Sequence, residues 1–420
     1  MFYKLIKKKC DEWMTSSDCT IRELIQYIYA QNKMRDAQIE AIKIYLFLKI
    51  ACGNRPLWKL FSEGCFNSLD FNTMELTVEA RSILTTNKAA AALLEYALLK
   101  DKNGNQLAPE LEKVIKSQSG RINYEDTFKK IFYGVNYTDY LFSLPMGAGK
   151  TYLMAAFIYL DLYFALNEPD NPAFAHNFMV LAPSGLKSSI IPSLRNIQEF
   201  DPTWIIPEPT ASNLKRMIKF EVLDEQKSAQ KSNLVRNPNA QKINNYQPLE
   251  DLMGLVAITN AEKVILDRVG ENENETLFSQ EETVRIRIAN ELRDIIGCIP
   301  HLAVFIDEVH HAADGEIKLR QVVEEWTEKH SFCGVLGFSG TPYLEKAESV
   351  TLADSFVIKN TDLSNVVYYY PLIKGVGNFL KVPEVKYADN DMETIVKNGV
   401  TELLDNHLHT VYANDACAKL

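Results

Sequence analysis

The run LFSLPMGAGKTYLMAAFIYLDLYFAL, Leu141 to Leu166, constrains this chain more than any other feature. A short apolar strand leads into two glycines, and a helix-length apolar stretch begins directly after Lys150 and Thr151. Strand, glycine turn and helix in that order form a phosphate cradle: glycines let backbone N–H groups come close, and the helix N-terminus turns its partial positive charge toward the anion. Pro145, Met146, Gly147, Ala148, Gly149, Lys150 and Thr151 then line the loop. Lys150 is expected on the β and γ phosphates of a nucleoside triphosphate. Thr151 supplies a hydroxyl suited to Mg²⁺, an ion that prefers oxygen. Leu144 stands where the longer loop pattern has glycine, so the match is to the shorter G-x-G-K-T form. The same string also suits a plain glycine turn before a core helix.

From Tyr140 onward, short apolar runs alternate with helical stretches: YLFSL, NFMVLAP, LVAIT, LAVFID and GVLGFS. Such runs, bounded by Gly, Pro or Ser, predict an α/β fold with a parallel sheet flanked by helices. Before them, IRELIQYIYA, MRDAQIEAIKIYLFLKIA and NKAAAALLEYALLK carry apolar residues at three and four spacing and predict a mainly helical section over 1–139. The α/β lobe is expected over 140–345. Within it, 211–245 is rich in Lys, Gln, Asn and Ser and is expected as a basic, partly flexible insert. Lys215, Arg216 and Lys219 there suit either a solvated loop or a strip that binds a phosphate backbone. Residues 346–420 form an extension ending in an amphipathic helix from about Met392 to Leu408.

Net charge is −10, which excludes a protein that coats nucleic acid by bulk charge, so any such contact must be local. Seven cysteines, an odd number with no C-x-x-C pair, predict free thiols in a reducing compartment. The run Tyr152 to Leu166 is interrupted by Asp161 and is shorter than the roughly 20 residues that span a bilayer. It predicts a buried helix, no membrane association and, with no secretory leader in MFYKLIKKKCDEW, a cytoplasmic location.

LAVFIDEVHHA sets Asp307 and Glu308 at the carboxyl end of an apolar strand, where ligands bind in open α/β sheets. An aspartate there can hold Mg²⁺, and a neighbouring glutamate can orient or deprotonate an attacking water. Acidic residues after a strand also cap helices, so the string gains force from the phosphate loop upstream.

Taken in order, PMGAGKT, VLAPSGL, AITN, FIDEVHH and GFSGTP resemble the motor motifs of superfamily 2 helicases, nearest to DEAH-type proteins and the type III restriction enzyme motor subunit. The resemblance implies a RecA-like P-loop NTPase lobe that uses ATP and Mg²⁺, with Lys150 and Glu308 catalytic and Thr151 and Asp307 on the metal. It also implies that His310, Ser339 and Thr341 couple hydrolysis to movement. Ser184, Lys187 and Thr259 would touch the backbone of a bound nucleic acid, expected to be DNA. MRDAQIEA, near 35–42, resembles the segment in which such proteins read adenine with a glutamine, which makes Gln38 the candidate; its alternative is a surface position on an amphipathic helix. In this family a second lobe supplies arginines to the transferred phosphoryl group, and the chain after Pro342 is short for one. QSGR at Gln118 to Arg121 precedes the phosphate loop and is taken as coincidence. The implied partners are a second motor lobe or a modification or nuclease subunit, and a role in restriction or phage defence. Two other classes stay open: a phosphotransferase acting on a small molecule, and an ATP-sensing interaction module without turnover.

Overall fold

A computed structural model describes residues 2–71, 74–100, 104–106, 108–182, 195–224, 237–261, 264, 291–307, 313–329, 331–353, 356–376 and 378, with side chains over 313–318, 344–348 and 351–362 left aside. The strands are β1 (Asp139–Ser143), β2 (Asn177–Ala182), β3 (Lys219–Val222), β4 (Leu255–Asn260), β5 (Leu302–Asp307), β6 (Phe332–Ser339), β7 (Tyr343–Ala353), β8 (Phe356–Asp362) and β9 (Val366–Tyr369). Seven of them form one sheet in the order β3-β4-β2-β5-β6-β1-β9, and every neighbouring pair runs parallel. The five expected runs supply β1, β2, β4, β5 and β6. They are apolar throughout because a parallel strand is covered on both faces by its crossover helices.

Alternation along β2 shows the two layers. Phe178, Val180 and Ala182 enter one core, and Met179 and Leu181 enter the other. The second core is closed by Ile296, Val323 and Trp326. The first surrounds α9 (Lys150–Asn167), whose buried residues occupy all sides of the helix. A helix that is apolar all round needs cover on its far side. The helical front section provides it: α1 (Tyr3–Thr15), α2 (Arg22–Gln31), α3 (Asp36–Leu46), α4 (Leu57–Ser62), α5 (Val78–Thr86), α6 (Lys88–Leu98), α7 (Pro109–Gln118) and α8 (Tyr124–Ile131). Residues of all eight of these helices share one continuous core with α9 and the sheet. Polar ties reinforce the joint, since Asn54 Nδ2 donates to the Cys333 carbonyl at 2.6 Å and Thr138 Oγ1 donates to the Asn54 carbonyl at 2.6 Å.

The described part of the stretch 211–245 adds to the sheet: it holds most of the helix Thr210–Met217, edge strand β3 and the helix Pro238–Asn244. Three of its described cations pack at that edge, with Lys215 Nζ donating to the Phe200 carbonyl at 3.2 Å, Lys242 Nζ to the Val222 carbonyl at 2.8 Å and Lys219 lying over the Tyr246 ring. Beyond Pro342, the antiparallel pair β7–β8 leads to β9, which returns to the sheet beside β1. The helix expected from Met392 lies outside the described residues. Among the described residues no helix is long and apolar enough to cross a membrane, and α9 lies in the core.

Candidate nucleotide site

The phosphate loop is shaped by its ends. Leu144 N donates to the Ser339 carbonyl at 2.9 Å, which carries the β1–β6 pairing one residue past Ser143. Ala148 N then donates to the Pro145 carbonyl at 3.1 Å, and Gly147 and Gly149 take left-handed φ values of 77° and 85°. A side chain is strained at such φ, so both positions require glycine. Pro145 and Ala148 are buried, whereas Met146 and Gly147 are exposed. Lys150 opens α9, an 18-residue helix whose dipole points into the loop. Thr151, next in the same first turn, is half-buried.

The SGTP turn covers Lys150. Ser339 Oγ donates to the Thr341 carbonyl at 3.0 Å and accepts from Thr341 N at 3.1 Å, which folds the turn back on itself. A Cβ built on Gly340 would lie 3.8 Å from Lys150 Nζ and 3.9 Å from Met146 N. The turn therefore lies alongside both the lysine and the loop backbone. Asp307 ends β5, paired beside Phe338 of β6. Since β6 separates β5 from β1, the acidic strand end and the phosphate loop lie on one edge of the sheet, about 10 Å apart at ordinary strand spacing. That is a span one hydrated Mg²⁺ and a polyphosphate can fill. Glu308, His310, Ser184 and Lys187 lie outside the described residues.

Gln38 is 5 % exposed, so the alternative of a surface position is overturned. It sits in the first turn of α3, where its Oε1 accepts from Arg35 N at 2.9 Å and its Nε2 donates to the Gly149 carbonyl at 3.0 Å. A primary amide has two donors and two acceptor lone pairs, so one of each remains for a ligand edge. Arg35, which the sequence reading missed, donates from its guanidinium to the Gly147 carbonyl. The only sequence signal was its place three residues before Gln38, where a cap belongs. Thr259 is fully buried and its hydroxyl donates to the Leu223 carbonyl at 2.8 Å. That bond ties β4 to the end of β3 and takes the hydroxyl away from a bound strand. Ser119 to Arg121, the QSGR string, forms a 3-10 turn between α7 and α8.

A parallel sheet with a glycine loop running into a Lys-Thr helix start, and an acidic strand end two strands away, defines a RecA-like P-loop NTPase lobe. The chain belongs to the family described as "Type III restriction enzyme, res subunit", whose pattern matches residues 111–344, more than half of its length. It therefore contains a helicase-like ATP-binding motor domain. No curated protein and no solved structure matches it.

Proposed function

We propose that the chain is the motor lobe of a nucleic-acid-stimulated ATPase, a DNA translocase or helicase component acting in restriction or phage defence in the cytoplasm. The observation that carries this reading is the SGTP turn seated on Lys150 and the phosphate loop. A small-molecule phosphotransferase has no need of such a turn; a motor needs an element that feels the γ-phosphate position and passes it on.

In this reading the N–H groups of Met146, Gly147, Gly149 and Lys150 hold the β phosphate, Ala148 N being bonded to the Pro145 carbonyl, and Lys150 pairs with the β and γ oxygens. The donor set fits a hard cation, with the Thr151 hydroxyl and the Asp307 carboxylate as the oxygens that would hold Mg²⁺. When bound, Mg²⁺ would neutralise charge between the β and γ phosphates. Glu308 orients the attacking water and accepts its proton. Gln38 reads the adenine edge, and Arg35 steadies the loop carbonyl beside it. Ser339 and Thr341, with His310, relay the loss of the γ-phosphate to Ser184 and Lys187 on the nucleic-acid backbone. A second lobe or partner chain supplies the arginines that complete the transition-state cradle, and such an arginine is worth about 10³ to 10⁵ in rate.

An ATPase assay with and without single-stranded DNA, double-stranded DNA and RNA tests the proposal. Stimulation by DNA supports it. Turnover indifferent to nucleic acid favours the phosphotransferase, and tight ATP binding with no turnover, even with DNA and a supplied second lobe, favours the sensor.

A further inference from the structure

The base-reading helix α3 and the phosphate helix α9 run parallel, in step, and are joined at both ends. At the loop end Gln38 Nε2 meets the Gly149 carbonyl. Seven residues beyond Gln38 and eight beyond Gly149, the Tyr45 and Phe157 rings stack with centroids 3.9 Å apart. Four residues beyond that, Lys49 Nζ lies 3.2 Å from Asp161 Oδ2. Eleven residues thus separate Gln38 from Lys49 and twelve separate Gly149 from Asp161, about 16 to 18 Å at the α-helical rise.

The far joint is charged and dry. Lys49 and Asp161 are 2 % and 0 % exposed in their side chains. Asp161 collects the Lys49 ammonium, the Tyr45 hydroxyl at 2.7 Å and Ala175 N at 3.0 Å, and Lys49 also donates to the Ala173 carbonyl at 2.6 Å. Lys49 reaches this point from a π-helical turn, Phe47–Ala51, which interrupts the helix after α3. A π turn is rare and is found frequently at functional sites. An apolar contact would hold two helices together while letting one slide by a fraction of a turn; a buried ion pair with every partner in place has one geometry.

We propose that the Lys49–Asp161 pair is a positioning device for nucleotide selection: it fixes the axial register of α3 on α9, so that the Gln38 amide stands at the height of the adenine edge when the triphosphate occupies the loop. The inference rests on the base-reading role of Gln38 given above. A register slip at Gln38 lengthens or bends the hydrogen bond of its amide to the base edge and so weakens discrimination between bases.

The test compares dissociation constants for ATP and GTP in the full chain bearing K49M/D161L, in Gln38→Ala and in the wild type, with a thermal melt of each. Replacing a buried ion pair by apolar residues of similar volume often leaves stability unchanged, so the double variant is expected to melt near the wild type. It is expected to bind GTP as the wild type does and to lose most of the preference for ATP, by about ten-fold. A double variant that keeps the wild-type ATP:GTP ratio, while Gln38→Ala loses it, overturns the positioning role and leaves base reading intact. A Gln38→Ala variant that keeps the ratio overturns base reading, and the positioning role with it. Should K49M/D161L fail to fold, K49Q/D161N removes both charges at nearly constant shape: loss of the ATP:GTP ratio in that variant supports the positioning role, and a wild-type ratio overturns it.

Discussion

Gln38 Nε2 donates to the Gly149 carbonyl at 3.0 Å across 111 positions of sequence. The bond has a steric counterpart, because a Cβ on Gly149 would come within 2.6 Å of the same Nε2. The amide and the loop are therefore fitted to each other. Gln38→Ala removes this bond and the cap on Arg35 N, and is expected to destabilise the fold by about 1 kcal/mol. ATP affinity should fall about ten-fold with GTP affinity nearly unchanged. Nucleotide titrations on the folded variant check this; an equal loss for both nucleotides would assign Gln38 to the loop alone.

The strands around the site were legible because burial on both faces leaves an unbroken apolar run, as in FMVLA and LAVFI. β3 was not: KFEV is an edge strand, polar and half exposed, embedded in lysines and asparagines that look like loop. β9 was blurred because VVYYY carries tyrosines with polar ends; Tyr368 hides its ring and sends its hydroxyl to the Ala37 carbonyl at 2.8 Å. The phosphate loop and the acidic strand end showed themselves through local spacing, since their chemistry depends on neighbours in sequence. Arg35 did not, because its partner is a main-chain oxygen on a distant segment, and a carbonyl leaves no mark on residue type. For the same reason the covering of α9 by the front helices follows from its all-round apolarity only in outline.

In the proposed reading, Lys150 brings the one positive charge of the loop's Gly-Lys-Thr string to the phosphates. Lys150→Ala should raise the dissociation constant for ATP by about 100-fold or more, with little change in melting temperature. Glu308→Gln should bind ATP as the wild type does and lose about 100-fold or more in stimulated turnover. Wild-type binding by the alanine variant, or wild-type turnover by the glutamine variant, would remove the assigned role from the residue concerned.

Gly334, near the start of β6, and Gly340, just past its end, should answer differently to the same methyl group. At Gly334, φ is 139° and a Cβ would lie 2.7 Å from Thr138 Cβ and 2.9 Å from the Thr138 carbonyl oxygen. Gly334→Ala must push β6 away from the start of β1 and should cost about 2 kcal/mol or more in urea unfolding. At Gly340 the nearest atoms stand at 3.8 Å, an ordinary contact, so Gly340→Ala should stay within about 0.5 kcal/mol of wild type. Its methyl nevertheless projects between Lys150 Nζ and Met146 N, and turnover should fall about ten-fold at unchanged stability. A Gly340→Ala protein with full activity would show that the space is not used by the reacting phosphate.

The far edge of the sheet carries an acid-sensitive pair. His176 and His301 stack with centroids 4.1 Å apart and an interplanar angle of 20°, just before β2 and β5 begin. Burial, and then the neighbouring His301, push the His176 imidazole down to about 4, and burial lowers His301 as well. In the unfolded chain both titrate near 6.5. Between those values the unfolded chain binds more protons than the folded one, so stability rises with pH through that window. The contribution is complete above about 6.5 and is lost progressively as pH falls toward 4. Urea unfolding midpoints should therefore drop between pH 7.5 and 5.0, and His176→Phe, which keeps a ring in the stack but cannot take a proton, should drop by less. An equal drop in both proteins would place the acid sensitivity in other groups.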